Sequence, residues 1–243
     1  MKIVIVENYE EMSKRAAVIF ASQIVLKPDS VLGLATGSTT IGMYKELINI
    51  YGRDALDFSK VSTFNLDEYY KLDEDNEQSY NYFMNKNFFN HVNIKRDNIN
   101  MPNGKSEDTV RDCARYDKKI VDLGGIDLQV LGIGANGHIG FNEPNTNFEA
   151  ETRLVELEKQ TIKANSRFFN SIGEVPTKAV SMGIKTIMQS KKIILLASGI
   201  EKADAIEKAV NGKITPELPA SILNLHKDVT IIVDRDAASL LNK

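Results

Sequence analysis

Six short apolar runs, each bounded by turn-forming residues, constrain the fold of this chain more than any other feature. They are KIVIV, SVLGLA, KVSTFN, IDLQVLGIG, KIILLAS and DVTIIVD, which begin at residues 2, 30, 60, 126, 192 and 228. Near-continuous apolar strands of this kind are typical of a parallel sheet that is covered on both faces.

The segments between these runs carry helical patterns. Apolar residues recur at helical spacing in the two segments after the first two runs: Met12, Ala16, Ile19 and Phe20 in one, and Ile41, Tyr44, Leu47 and Ile48 in the other. Alternating strands and helices imply right-handed crossovers between parallel strands. We therefore predict an α/β fold with an open, doubly wound, mostly parallel, Rossmann-like sheet and helices on both faces.

The chain has no internal repeat, low-complexity tract or linker-like stretch, so we expect a single domain over residues 1–243. The polar stretch from about residue 145 to residue 177 breaks the alternation of strands and helices. It is long enough to form a lid over a site at the edge of the sheet.

Composition narrows the classes of partner. With a net charge of −3, the chain has no global attraction for nucleic acid or a membrane surface, so local basic groups must hold any anionic ligand.

The first apolar run ends at Glu7 and does not resemble a signal peptide, and no apolar run approaches the ~20 residues of a membrane span. Cys113 is the only cysteine, which favours a reducing compartment. We expect a cytoplasmic protein in which Cys113 is an inert position of an amphipathic helix.

Four unusual sequences follow four of the strands, at the edge of a parallel sheet where ligands bind. The first is ATGSTTIGM, which begins at residue 35. Backbone N–H groups and hydroxyls at a helix N-terminus bind phosphate well, so Gly37, Ser38 and Thr39 are candidate phosphate ligands. The alternative is a capped helix with Ser38 or Thr39 as the N-cap. A nucleoside triphosphate is disfavoured, because the Gly-Lys-Ser/Thr ending of a P-loop is absent.

The second sequence, TFNLDEYYKLDED, places Asp67 and Glu68 directly after the third strand. Asp67 is better placed to face a pocket as a general base. We expect the later acids of the loop, Asp73, Glu74 and Asp75, to form a solvated surface.

The third sequence, GIGANGHIGFNEP, begins at residue 132 and satisfies the G-x-G-x-x-G pattern of a dinucleotide-binding turn. Gly140 and Pro144 would break the helix that such a turn requires, so a nucleotide is disfavoured. Asn136, His138 and Glu143 lie within eight residues, and a His beside a carboxylate suits proton transfer near neutral pH. The chain has three histidines and no pair at ligand spacing, so we expect no metal site.

The fourth sequence, LLASGIEKADAI, places Lys202 in the first turn of a helix after the fifth strand. A cation there opposes the helix dipole unless an anion is bound. Arg167, in KANSRFFN, lies in the expected lid. Either cation could simply be solvated, but together with the Ser38 loop they would complete an anion site.

The stretches FNLDEYY, GIGANGHIGFNEP, ANSRFF and GIEKADAI, in this order along nearly the whole chain, resemble the glucosamine-6-phosphate deaminase family. The resemblance implies a hydrolase-class enzyme of amino-sugar catabolism that converts glucosamine 6-phosphate and water into fructose 6-phosphate and ammonia. It implies no metal and no organic cofactor. It also implies that the glycines after the fourth strand shape a catalytic loop.

The resemblance assigns roles to residues of the matching motifs. His138 would open the sugar ring, and Glu143 and Asn136 would orient it. Asp67 would remove the C2 proton of the open chain. The 6-phosphate would be held by five residues: Gly37, Ser38, Thr39, Arg167 and Lys202.

The chain departs from the family pattern at two places. Many members have Asp where this chain has Asn136, and an amide can hydrogen-bond to its neighbours but supplies no negative charge. Members activated by N-acetylglucosamine 6-phosphate carry a Lys where this chain has Val155, two residues after Arg153, and they have a C-terminal extension beyond the position of Lys243. We therefore expect hyperbolic kinetics without that activation. A monomer and a homo-oligomer both remain open.

Two other functions remain as alternatives. A 6-phosphogluconolactonase shares a related fold and a similar loop, but it would leave FNLDEYY without a use because it removes no C2 proton. A sugar-phosphate-sensing domain of a transcription regulator needs an attached DNA-binding region, for which the chain shows no room before its first strand.

Overall fold

Seven of the strands form a parallel sheet in the computed structural model, which describes residues 1–166, 169 and 171–241. In chain order the strands are β1 (Lys2–Val6), β2 (Val31–Leu34), β3 (Ser62–Asn65), β4 (Asp67–Tyr69), β5 (Ile99–Asn100), β6 (Leu128–Leu131), β7 (Arg153–Glu156), β8 (Lys178–Ser181), β9 (Ile193–Ala197) and β10 (Val229–Asp234). The larger sheet has the order β1-β10-β9-β6-β2-β3-β5, and all its pairs are parallel. Each of the six apolar runs contributes one strand, which confirms the predicted α/β class.

Helices connect these strands. They are α1 (Tyr9–Leu26), α2 (Ser38–Tyr51), α3 (Tyr80–Asn87), α4 (Thr109–Asp122), α5 (Lys159–Asn165), α6 (Ile184–Met188) and α7 (Ala203–Asn211). The Asn8 side chain caps α1 by accepting a hydrogen bond from the Glu11 N–H, and Met12, Ala16 and Phe20 form its buried face. The predicted apolar faces of α1 and α2 pack into the main core, where strands β2, β6 and β9 are buried along their whole length.

A second sheet of three antiparallel strands, in the order β4-β8-β7, was not predicted. Its strands are three or four residues long, and β4 reads Asp-Glu-Tyr, so neither length nor alternation marks them as strands. The register pairs Asp67 with Ser181, and Leu66 accepts a hydrogen bond from the Met182 N–H. The backbone around Asp67 is therefore fixed by its pairing with β8, and it follows directly after β3 in the chain.

The stretch from residue 145 to residue 177 contains β7, α5 and a 3₁₀ turn at Ile172–Glu174. Because β7 pairs with β8, this stretch is anchored to the small sheet at its beginning. A small apolar cluster of Tyr69, Phe141, Leu157 and Ala179 packs this stretch, through Leu157, against the small sheet and the loop that contains Phe141. Whether the stretch works as a lid stays a prediction.

Cys113 lies on the buried face of α4, as the amphipathic pattern predicts. Burial raises the pKa of its thiol to about 11, and the charges of Asp117 and Asp112 add to the rise. The thiol is therefore protonated and unreactive near neutral pH. Among the described residues, no helix has the length and apolar character to cross a membrane.

Candidate active site

A cavity of about 420 Å³ lies at the carboxyl ends of β9, β6, β2 and β3, which are neighbours in the sheet. The four unusual sequences converge on it, because each follows one of these strands. Among the residues that line it are Gly37, Ser38, Thr39, Asp67, Asn136, His138 and Lys202. Glu143 stands directly behind this lining, within 3.2 Å of His138.

The α2 end of the cavity presents a helix N-terminus. Gly37 is the N-cap residue, with φ at 126°, and Ser38 is the first helical residue, so the alternative in which Ser38 or Thr39 is the N-cap is wrong. A glycine is needed because an L side chain disfavours this φ. The Tyr9 hydroxyl donates to the Ser38 carbonyl at 2.7 Å and accepts from the Gly42 N–H at 2.8 Å. This bridge fixes the first turn, so the N–H groups are preorganised for an anion.

Asp67 is buried in the wall of the cavity, with 6% of its surface exposed. Burial raises the pKa of its carboxyl to about 8, the neighbouring Glu68 charge adds to the rise, and the nearby Thr36 hydroxyl opposes it in part. A carboxyl with this pKa is a stronger base than an ordinary Asp, and its ionised fraction rises with pH through about 8.

Glu68 is the buried partner of Asp67, and the sequence did not single it out for a role. Its carboxylate accepts hydrogen bonds from the backbone N–H groups of Tyr69, Tyr80 and Asn81 at 2.8–2.9 Å. Two of these donors belong to the first turn of α3, where a negative charge is favourable. Glu68 therefore ties β4 to α3 and places a second carboxylate beside Asp67.

His138, Glu143 and Asn136 lie together, as predicted. Nδ1 of His138 is 3.2 Å from Oε2 of Glu143, although the ring N–H direction is not aligned for a linear hydrogen bond. Burial acts to raise the pKa of the Glu143 carboxyl, but the contacts with His138, Thr161 and Asn136 outweigh it and bring the pKa below its usual range. Glu143 is therefore a carboxylate at neutral pH.

Asn136 contacts Glu143 rather than the imidazole. Its Nδ2 donates to Oε2 of Glu143 at 2.9 Å, and its Oδ1 accepts from the His138 backbone N–H at 3.3 Å. An Asp at this position would place a second negative charge against Glu143. The amide instead donates to Glu143, so Asn136 orients His138 through the backbone and through Glu143.

The glycines of the loop between β6 and Pro144 shape the loop around His138. A Cβ on Gly134 would lie 2.3–2.6 Å from three ring atoms of His138, so only glycine allows the imidazole to pack there. Gly137 has φ at 82° and closes a turn with its N–H donating to the Gly134 carbonyl. No helix follows this loop, so it lacks the feature that a dinucleotide turn needs.

Lys202 lines the cavity from a 3₁₀ turn at Ile200–Lys202 and directly precedes α7, one residue earlier than predicted. The loop before it is fixed by Asp234, whose carboxylate accepts from the Gly199 N–H at 3.1 Å and from the Ser198 hydroxyl. Asp234 was missed because its sequence context is only the end of a strand. Arg167 lies outside the described residues.

Helix α5 also reaches the cavity, which the sequence did not predict in residue detail. Thr161 and Asn165 line it, together with the stacked aromatic rings of Tyr80 and Phe141. The Thr161 hydroxyl donates to Oε1 of Glu143, and Nδ2 of Asn165 donates to the Tyr69 hydroxyl at 2.9 Å. In the described part of the chain, no group of three or more His, Cys, Asp and Glu is arranged to hold a metal ion.

Comparisons with known proteins agree with this geometry. The family model of glucosamine-6-phosphate isomerases and 6-phosphogluconolactonases matches residues 7–232. A glucosamine-6-phosphate deaminase of Clostridium botulinum (strain Kyoto / Type A2) is 64% identical over 242 residues, covering 100% of this chain and 99% of that protein. One of Clostridium acetobutylicum is 66% identical over 241 residues, covering 99% of this chain and 100% of that protein.

Solved structures separate two groups of relatives. A monomeric glucosamine-6-phosphate deaminase is 49% identical to this chain and superposes with a TM-score of 0.97, covering 99% of this chain and 100% of that one. A 6-phosphogluconolactonase from Trypanosoma brucei is 19% identical with a TM-score of 0.79, covering 99% and 98%. The likeness to the second protein shows a shared fold alone.

Proposed function

This chain belongs to the family of glucosamine-6-phosphate isomerases and 6-phosphogluconolactonases, and we propose that it acts as a deaminase within that family. It converts glucosamine 6-phosphate and water into fructose 6-phosphate and ammonia. The relatives at 64–66% identity are deaminases, whereas the lactonases share only the fold. The protein works in the cytoplasm, on a small sugar phosphate, without nucleic acid, membrane, metal or organic cofactor.

Asp67 is the observation that carries the proposal. Hydrolysis of a lactone breaks no C–H bond, whereas conversion of an aldose into a ketose requires a base at C2. A buried carboxyl with a pKa of about 8, in the wall of the same cavity as His138, supplies that base.

The phosphate of the substrate binds at the first turn of α2. The N–H groups after Gly37, the hydroxyls of Ser38 and Thr39, and the ammonium of Lys202 supply donors and positive charge. Arg167 joins them in the proposal on the strength of the family motif alone. Binding at this end leaves the sugar ring between His138 and Asp67.

Ring opening is the work of His138. The imidazole accepts the proton of the anomeric hydroxyl and delivers a proton to the ring oxygen, so the bond from C1 to the ring oxygen breaks and the C1 aldehyde forms. Glu143 is ionised and stabilises the protonated imidazole during the transfer. Asn136 keeps the Glu143 carboxylate in place by donating to Oε2.

Proton transfer then converts the C1 aldehyde and the C2 amine into a C1 alcohol and a C2 imine. The Asp67 carboxylate removes the C2 proton, the C1–C2 double bond forms, and the aldehyde oxygen is protonated to give an enolamine. Return of a proton to C1 leaves an imine at C2. Water adds to this imine, and ammonia leaves as the ketone of fructose 6-phosphate forms.

The proposal is tested by measuring ammonia release from glucosamine 6-phosphate by the purified protein with EDTA present. Hydrolysis of 6-phosphogluconolactone is measured in parallel. We expect ammonia release that EDTA does not reduce, and lactone hydrolysis no faster than in buffer. Lactone hydrolysis without ammonia release would contradict the proposal and establish the alternative.

A further inference from the structure

Helix α5 contacts the Glu143 carboxylate through the side chain of Thr161. Thr161 lies in the first turns of α5, is 7% exposed, and lines the cavity. Its hydroxyl donates to Oε1 of Glu143, which is also 7% exposed. A hydrogen bond from a buried hydroxyl to a buried carboxylate is strong, because the acceptor is charged and water does not compete for either group.

The two oxygens of Glu143 have different partners. Oε1 accepts from Thr161, whereas Oε2 accepts from Asn136 at 2.9 Å and lies 3.2 Å from Nδ1 of His138. The Thr161 bond thus fixes the rotation of the carboxylate about its last side-chain bond. With Oε1 held by α5, Oε2 is the oxygen that faces the imidazole.

The same helix is tied to the other side of the cavity. One turn after Thr161, Nδ2 of Asn165 donates to the Tyr69 hydroxyl at 2.9 Å, and Tyr69 is two residues after Asp67 on β4. The position of α5 therefore depends on contacts with the Glu143 side and with the Asp67 side. The alignment of Glu143 in turn depends on where α5 lies.

We propose that Thr161 is a positioning residue, whose hydroxyl holds the Glu143 carboxylate with Oε2 toward His138 and thereby makes the ring-opening step depend on the placement of α5. This inference rests on the proposed roles of His138 and Glu143. It predicts that the hydroxyl, rather than the size of the side chain, is what matters at residue 161.

Two substitutions separate the hydroxyl from the shape of the side chain. Thr161→Val keeps the shape and removes the hydroxyl, whereas Thr161→Ser keeps the hydroxyl and removes a methyl group. Lys163→Ala changes an exposed residue of the same helix and is the matched control. We expect Thr161→Val to lower kcat for ammonia release about tenfold or more with little change in KM, and the other two variants to stay within about twofold of the wild type.

A second measurement does not depend on turnover. The carboxyl carbon of Glu143 is titrated by NMR in the wild type and in both Thr161 variants. A hydrogen bond to the ionised form lowers a carboxyl pKa, so its loss in Thr161→Val raises the pKa of Glu143, and Thr161→Ser restores the wild-type midpoint.

The outcomes are distinct. Equal loss of kcat in the Val and Ser variants would overturn the inference, since packing would then explain it. A Val variant with wild-type kcat and an unmoved Glu143 midpoint, or with a change in KM alone, would also overturn it. A wild-type protein that releases no ammonia contradicts the proposed function, and the titration would still show whether Thr161 controls Glu143.

Discussion

At the scale of single residues, two glycines of one loop offer a matched pair of substitutions. A Cβ on Gly134 collides with the His138 ring, whereas a Cβ on Gly132 meets nothing within 4 Å. We expect Gly134→Ala to displace the imidazole, to lower turnover and to cost about 1–3 kcal/mol of unfolding free energy, the usual penalty of overpacking.

Thermal unfolding and ammonia release measured on Gly134→Ala and Gly132→Ala check this expectation. The Gly132 variant should keep the melting temperature of the wild type. Equal destabilisation by both changes would mean that backbone freedom, rather than contact with His138, explains the glycine at residue 134.

Among the described residues proposed to bind the phosphate, Lys202 is the charged side chain. We expect Lys202→Ala to weaken binding of glucosamine 6-phosphate by roughly 1.5–3 kcal/mol, the range for hydrogen bonds to charged groups. Affinity for unphosphorylated glucosamine should barely change, because it lacks the phosphate that Lys202 is proposed to bind.

Calorimetric titration with both sugars measures the difference. Lys213→Ala, at an exposed lysine away from the cavity lining, is the control. Similar losses for the two sugars in Lys202→Ala would show that Lys202 supports the fold or the chemistry and not the phosphate.

The sequence predicted residues whose chemistry is visible in their own neighbourhood. Asn136, His138 and Glu143 lie within eight residues, and the loop that follows β6 brings them into contact. Glu68, Thr161 and Asp234 were missed because their partners come from other elements. Gly37 was missed as the N-cap because Ser and Thr are the usual N-cap residues, whereas the turn here requires a positive φ that favours glycine.

At the scale of elements, Glu68 joins β4 to α3 through hydrogen bonds to the α3 backbone. Its charge also contributes to the pKa of the proposed base, Asp67. Burial comes first in raising the pKa of Asp67, and the Glu68 charge adds to it. An Asp with a raised pKa acts as a base only above that pKa, so kcat/KM should rise with pH through about 8. In Glu68→Gln the added charge is gone, and we expect the midpoint of this rise to move to lower pH.

Profiles of kcat/KM against pH for the wild type and Glu68→Gln test this shift. The control is Glu74→Gln, at an exposed acid of the loop between β4 and α3. A midpoint that stays in place, or moves upward, in Glu68→Gln would separate Glu68 from the ionisation of Asp67.

The larger sheet was predictable and the smaller one was not, for a physical reason. Strands such as β9 and β10 are buried in the sheet, and a strand buried on both faces needs a nearly continuous run of apolar residues. Such a run is visible in the sequence. Strands β4, β7 and β8 are too short for a pattern, and the pairing of β4 with β8 joins residues as far apart in the chain as Asp67 and Ser181. The sequence near each strand does not indicate such a long-range pairing.

At the scale of the whole molecule, strand β7 is where we expect activation by N-acetylglucosamine 6-phosphate to be lost. Arg153 donates to Oδ1 of Asn142 at 3.0 Å, and Val155 packs against the small apolar cluster that contains Leu157. A phosphate bound at β7 would meet a valine where activated members of the family have a lysine. A ligand that gains little differential affinity between two states cannot shift their equilibrium.

We therefore expect a hyperbolic dependence of velocity on glucosamine 6-phosphate, and no effect of N-acetylglucosamine 6-phosphate. Initial rates measured across substrate concentrations, with and without the acetylated sugar, decide the matter. A sigmoidal curve that the acetylated sugar turns into a hyperbola would contradict this expectation.

The whole account depends on Asp67 as the base that removes the C2 proton. The most direct test is the exchange of that proton with solvent deuterium, followed by NMR together with ammonia release, in the wild type, Asp67→Asn and the exposed control Asp75→Asn. We expect Asp67→Asn to bind the substrate but to lose exchange and turnover together by about 10²–10⁴-fold, while Asp75→Asn matches the wild type. Exchange at the wild-type rate in Asp67→Asn would remove Asp67 from the mechanism and contradict the account.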